Sequence, residues 1–233
     1  MNSVRIYYIN HNGKADHARL DNSQIEQWLS ELSEAKRESV KRLVHVDDQL
    51  ASLLATRLLK MAAADEGVDD FFLSEVDYPK GSKPYWVSSQ GNDLDFNISH
   101  SNTCVVVALS TSLKVGIDVE RVRELKNLSF KMVLSPEELN LIQQKPDLFF
   151  ELWSKKEAVV KAADTSGIAR MRDVELVADE AKLDGEDWYL TAVEMDDIAD
   201  KQYEVYLAAS KPVDSLIIKN ICFDELIKNT DSD

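Results

Sequence analysis

The spacing of apolar and polar positions divides this chain into strands and helices before anything else is known of it. Val4 to Ile9 is a short apolar and aromatic run that predicts a strand, and the polar stretch Asn10 to Asp16 predicts a loop. Ile25, Trp28, Leu29 and Leu32 recur at helical spacing, as do Leu50, Leu53, Leu54, Arg57, Leu58 and Met61. Phe71 to Val76 reads as a strand, closed by the turn signal Tyr78-Pro79-Lys80-Gly81. A Lys83-Pro84 pair and a Gly-Asn loop at 91–92 follow. Next comes Phe96-Asn97-Ile98-Ser99-His100, a Ser-rich turn leading into a strand. Cys104 to Leu109 and Lys114 to Glu120 then predict paired strands joined at Ser110-Thr111-Ser112.

A similar order returns in the second half. A helix is expected from about Pro146 to Ala163, then strands at Asp173 to Val177, Trp188 to Val193 and Tyr203 to Ala208. The run from Val105 resembles the run from Val205: each enters a Ser/Lys turn before another strand. The expected fold class is α+β, a pseudo-twofold pair of similar α+β halves with the active site in the cleft between them. The halves are expected at 1–112 and 113–228, with 229–233 a frayed tail.

Composition narrows the functional classes. The 233 residues carry 27 Lys+Arg against 42 Asp+Glu, a formal charge of −15, with 44 % apolar residues to build a core. Such acidity argues against nucleic acid and anionic membranes as partners, since both are bound through excess Lys and Arg. It leaves room for one local cationic pocket. No apolar run approaches the ~18 residues of a bilayer span, and the N-terminus lacks a signal-peptide core. The two cysteines, Cys104 and Cys222, lie in apolar runs and fit no zinc or disulfide spacing, so both are expected buried in a reducing cytoplasm.

Three segments carry chemistry. In Gly116-Ile117-Asp118-Val119-Glu120, strand alternation puts Asp118 and Glu120 on one face, about 7 Å apart. That is a solvated strand face unless a cation sits between them. In Trp153-Ser154-Lys155-Lys156-Glu157-Ala158-Val159-Val160-Lys161, the residues Lys156, Trp153, Glu157 and Lys161 fall at about −60°, 0°, 40° and 80° around a helix. Glu157 and Lys161 also have the spacing of an ordinary surface ion pair. Together, Asp118, Glu120 and Glu157 offer three hard oxygen ligands suited to Mg²⁺, and Lys156 and Lys161 add cations for a polyphosphate. The third segment supplies His100, able to donate to a phosphate.

Gly81-Ser-Lys-Pro, Phe96-Asn-Ile-Ser-His-Ser, Gly116-Ile-Asp-Val-Glu and Trp153-Ser-Lys-Lys-Glu-Ala-Val-Val-Lys stand in the order of a known family. Over residues 40–180 the chain resembles the 4′-phosphopantetheinyl transferases of the surfactin-synthetase-activating type. The resemblance implies transfer of the phosphopantetheine arm of coenzyme A to a serine of an apo acyl or peptidyl carrier protein, releasing adenosine 3′,5′-bisphosphate. It implies Mg²⁺, or Mn²⁺ in its place, held on the pyrophosphate by Asp118, Glu120 and Glu157. Lys161 and His100 would contact phosphate oxygens with Lys83 and Lys156 nearby, and Ser99 would lie against the nucleotide. Glu157, directly or through water, is the favoured base, and Glu120 is the alternative. Members with two fused halves are generally monomers, so a monomer is implied.

One position departs from the family. Where an arginine before Ser-Leu-Leu grips the 3′-phosphate, this chain has Ala51 ahead of Ser52-Leu53-Leu54. Losing a charge-assisted contact costs about 1.5–3 kcal/mol. Arg42, Arg57 and Lys41 are candidate substitutes, and otherwise preference for the 3′-phosphate is relaxed. For the carrier, itself usually acidic, Arg121, Arg123 and Lys126 form the expected basic face, beside an apolar strip of Leu128, Phe130, Met132 and Leu134. Two other readings stand beside this one: a carrier-binding module of the same fold without turnover, and a metal-dependent nuclease, which the acidity disfavours.

Overall fold

A computed structural model describes residues 1–87, 94–125, 130–165, 167–195 and 203–228. The Gly-Asn loop at 91–92, the carrier-face residues Lys126 and Leu128, and the tail 229–233 lie outside the described residues. The opening strand is β1 (Ser3–Asn10), and the expected loop after it closes into a single helical turn, α1 (Lys14–His17). Next, α2 (Asn22–Ser30) starts on a capping box: the Asp21 carboxylate accepts from Gln24 N at 2.8 Å, and Gln24 Oε1 accepts from Asp21 N at 3.2 Å. Then α3 (Glu34–Lys41) buries only Val40, which is why no apolar repeat marks it. The long α4 (Val46–Asp65) buries Leu50, Leu54 and Leu58 completely.

The expected strand Phe71 to Val76 is a correction. Leu73–Glu75 forms a 3₁₀ turn, and only Val76–Asp77 is strand, β2, paired with β3 (Tyr85–Trp86). The turn lets Phe71 and Leu73 both reach the core and leaves Phe72 exposed between them. The remaining elements are β4 (Asp95–Ser101), β5 (Cys104–Ser110), β6 (Val115–Arg121), α5 (Pro136–Gln144) and α6 (Phe149–Ala162). They are followed by β7 (Glu175–Val177), β8 (Glu180–Leu183), β9 (Glu186–Ala192), β10 (Tyr203–Ala209), β11 (Ser215–Asn220) and α7 (Phe223–Lys228).

Besides the β2-β3 pair, the described residues form two larger sheets, ordered β11-β1-β5-β4 and β6-β10-β9-β8-β7. Consecutive strands β5 and β6 are therefore not a pair, contrary to expectation. β6 crosses to the second sheet and pairs antiparallel with β10, Asp118 opposite Tyr206. The last strand, β11, returns to the first sheet and lies parallel to β1, Ile6 opposite Ile218. The expected half 113–228 thus gives its final strand to the other sheet, and α7 follows it there, Phe223 and Leu226 packing with α4.

Strand alternation distributes the core over four layers. Tyr7, Ile9, Val105, Val107 and Leu109 face α4, and Val4, Ile6, Tyr8, Val106 and Ala108 face the second sheet. From that sheet Val115, Ile117, Val119, Val205 and Leu207 meet them. Its other face, with Leu190 and Ala208, is covered by α6 through Ala158, Val159 and Ala162. Cys104 is buried in the inter-sheet layer as expected. Cys222 is exposed, a second correction: it sits between β11 and α7, and Ile221 rather than the thiol turns inward.

The sheets also meet edge to edge. β4 and β6 share no main-chain ladder, yet alternate β4 side chains accept from β6 main-chain N–H groups. Asp95 Oδ1 accepts from Val115 at 2.7 Å, Asn97 Oδ1 from Ile117 at 2.9 Å, Ser99 Oγ from Val119 at 3.3 Å and Ser101 Oγ from Arg121 at 3.1 Å. The constant offset of 20 residues means that the strands run parallel along this seam.

Candidate functional site

The site is built where β6 passes under α6. Gly116 makes the approach possible: a Cβ there would stand 2.1 Å from Ala158 O and 2.4 Å from Ala162 N. With α6 lying directly on the strand, Glu157 and Lys161 come down over Asp118 and Glu120, the carboxylates two and four residues after the glycine. One oxygen each of Asp118, Glu120 and Glu157 lies within 4.8 Å of the others.

Each carboxylate is held differently. Asp118 is 2 % exposed, and its Oδ1 accepts from Lys161 Nζ at 2.7 Å and from Ser99 Oγ at 3.0 Å. Its Oδ2 is buried without a hydrogen-bond partner. Glu120 Oε2 accepts from Ser101 Oγ at 3.2 Å. Glu157 Oε2 accepts from Trp153 Nε1 at 2.8 Å, and its Oε1 is 3.3 Å from Lys161 Nζ. Burial, and then the Asp118 charge, push the Glu120 carboxyl up to about 6, against the opposing effects of Ser101 and Arg123. Burial acts to lower the Lys161 ammonium, but Asp118 and Glu157 outweigh it and hold its pKa above the ordinary lysine value.

Three acidic oxygens with one ammonium between them leave an excess of negative charge. A buried carboxylate oxygen left without a donor costs free energy unless a cation meets it. The set therefore fits a hard divalent cation of the Mg²⁺ or Mn²⁺ type.

The other expected site residues are distributed unequally. His100 is exposed at the cleft: burial of its ring lowers its pKa, Asp48 opposes this, and Lys161 and Lys36 lower it further. Ser99 is 6 % exposed, and its hydroxyl faces Asp118 and Lys161, where it supports a carboxylate. Lys83 is a correction as well: its ammonium is bonded to Asp95 and, at 2.6 Å, to Val115 O. Those contacts tie the loop before β3 to the seam. Lys156 is the plainest correction. It is fully buried, with Glu138 Oε2 at 2.8 Å, Val174 O at 2.9 Å and Met171 O at 3.1 Å. Its place on α6 is some 140° from Lys161, and that angle sends it into the core.

Around the 3′-phosphate question, Ala51 is buried in α4. Arg57 is enclosed too, bonded to Glu31 Oε1 at 2.8 Å and stacked on Trp28, so it is no substitute for an arginine at position 51. Lys41 and Arg42 are exposed. Beside Lys161, a second cation acts on His100: Lys36, seated over the Tyr78 ring at 4.8 Å with burial lowering its pKa. The sequence reading missed it because α3 shows no apolar repeat. It also missed the donors Trp153 and Ser101, whose partners are known only once the fold is. On the expected carrier face, Arg121 and Arg123 are exposed, the latter 5.8 Å from the Phe150 ring. The apolar strip is corrected: Leu134 is core, Phe130 packs on Phe149 at 4.3 Å, and Met132 is exposed.

Two family models match the chain. One described as "4'-phosphopantetheinyl transferase, N-terminal" covers residues 20–112, and one described as "4'-phosphopantetheinyl transferase superfamily" covers residues 114–209. A 4′-phosphopantetheinyl transferase of Bacillus subtilis is 32 % identical over 150 residues, 62 % of this chain and 65 % of that protein. The 4′-phosphopantetheinyl transferase Sfp of Bacillus subtilis strain 168 is 29 % identical, over 61 % and 64 %. The 4′-phosphopantetheinyl transferase gsp of Aneurinibacillus migulanus is 30 % identical, over 57 % and 56 %. In each case the chain spans less than two thirds of the relative's own length.

Proposed function

The chain belongs to the 4′-phosphopantetheinyl transferase superfamily, and from that premise we propose that it transfers the phosphopantetheine arm of coenzyme A to a serine of an apo acyl or peptidyl carrier protein, with adenosine 3′,5′-bisphosphate as the second product. The observation that carries the reading is the triad of Asp118, Glu120 and Glu157, together with the orphaned Asp118 Oδ2. These residues would hold Mg²⁺, which when bound neutralises charge on the pyrophosphate.

The chain's own groups do the rest. Lys161, kept protonated by Asp118 and Glu157, stabilises charge developing on the leaving phosphate. Glu157 Oε2 is held by the Trp153 indole and its Oε1 pairs with Lys161 at 3.3 Å, so Glu157 takes the proton of the attacking serine through Oε1, directly or through water. Glu120, at about 6, is the alternative base. Lys36 supplies positive charge for the nucleotide phosphate, and His100, its pKa lowered by burial, serves as a neutral hydrogen-bond donor. Arg121 and Arg123 favour an acidic carrier through their charge. The protein is proposed to work as a monomer in the cytoplasm; among the described residues no helix is long and apolar enough to cross a membrane.

The test is incubation with coenzyme A, Mg²⁺ and a panel of apo acyl and peptidyl carriers, read by intact mass. One added phosphopantetheine arm on a carrier is the expected result, lost in Asp118→Asn with the fold retained by circular dichroism. Carriers that bind but stay unmodified across the panel would favour the module without turnover.

A further inference from the structure

Along the β4–β6 seam, the side chains that bridge the sheets change type partway. Asp95 and Asn97 use carbonyl-type oxygens, which accept from the main chain and donate nothing to it. From Ser99 onward the bridging group is a hydroxyl, which accepts and donates at once. Ser99 Oγ accepts from Val119 N and donates to Asp118, and Ser101 Oγ accepts from Arg121 N and donates to Glu120. Each serine therefore grips a carboxylate residue twice, by the side chain and by the N–H that follows it. The change coincides with the two positions where β6 carries a candidate metal ligand.

Asp118 has a second anchor in Lys161, at 2.7 Å. Glu120 has a longer side chain with more rotamers to restrain. Ser101 is itself fixed, because it ends β4 opposite Cys104 in a tight hairpin whose Asn102 takes a left-handed φ of 55°. Beyond it, Thr103 Oγ1 bonds Asn10 at 2.6 Å and lies 3.1 Å from the Tyr203 hydroxyl, joining both sheets at the same end. A rigid turn thus holds a hydroxyl against a flexible carboxylate.

We propose that Ser101 is a positioning residue for the metal centre, which holds the Glu120 carboxylate in register with Asp118 and Glu157 through the inter-sheet seam. The inference rests on the reading of those three residues as metal ligands.

The test measures Mn²⁺ affinity by electron paramagnetic resonance on the full chain without coenzyme A. Ser101→Ala is expected to weaken binding about 10-fold or more, the usual effect of removing a partner of a metal ligand. Ser101→Thr, which keeps the hydroxyl and suits a strand, is expected to bind within about 3-fold of the parent. Should Ser101→Ala not fold, Ser101→Cys carries the comparison, since its thiol is a weak donor of similar size. Asp118→Asn separates the two readings. If it binds Mn²⁺ as well as the parent, the metal centre itself is refuted. If it fails to bind while a folded Ser101→Ala binds like the parent, the positioning role is overturned and the metal centre stands.

Discussion

At Lys156 the ammonium is enclosed by the Glu138 carboxylate and the carbonyls of Met171 and Val174, and it anchors α5, α6 and the approach to β7 to one another. Five residues on, Lys161 meets Asp118 and Glu157 at the cleft. The sequence shows two lysines five residues apart in one helical segment, each able to meet a phosphate. It leaves open which lies against protein on all sides, because burial depends on elements distant in the chain. Lys156→Met takes the cation from the largely buried Glu138 carboxylate, which keeps only the Ser135 N–H at 2.7 Å, and a donor from the Met171 and Val174 carbonyls, so it should cost about 3–5 kcal/mol. Urea unfolding checks this. Mn²⁺ affinity of the folded variant should stay near that of the parent, and a large loss would return Lys156 to the site.

At the scale of elements, the contact of α6 with β6 makes the centre, and one glycine permits it. Gly116→Ala would set a methyl 2.1 Å from the Ala158 carbonyl, so the helix must lift or the strand must bend. Overpacking of this kind costs about 1–3 kcal/mol. It should also part Glu157 from Asp118 and Glu120, with Mn²⁺ binding weakened at least 10-fold while the thermal midpoint falls only modestly. Unchanged metal affinity in the folded variant would show that the close approach does not set the ligand spacing. The elements themselves were unevenly legible. β1, β5, β9, β10, α4 and α6 follow strong apolar periods. The 3₁₀ turn at Leu73–Glu75 mimics a strand in the sequence because Phe71 and Leu73 are buried on either side of the exposed Phe72. The helix α3 left no trace because it gives one residue to the core.

Over the whole molecule, a charge of −15 coexists with a small cationic end of the cleft drawn from both parts of the chain. Lys36 comes from α3, with the neutral His100 imidazole within its electrostatic reach, and Lys161 comes from α6. No arginine stands at position 51, and Arg57 is committed to Glu31. The preference for coenzyme A over its 3′-dephospho form is therefore expected to be small. Competition between the two substrates for transfer checks this, and a large preference in the parent would refute it. The segments Gly116 to Glu120 and Trp153 to Lys161 determined from sequence alone that a carboxylate triad and a lysine were available, because strand and helix periods are local. The α+β class and the two strand-rich halves were legible for the same reason. Only the tertiary structure decided that β5 and β6 part to different sheets, that β11 returns beside β1, and that Lys83 and Lys156 are held by the protein. Strand partners and side-chain burial are long-range properties, set by which surfaces must leave water together, and no local period records them.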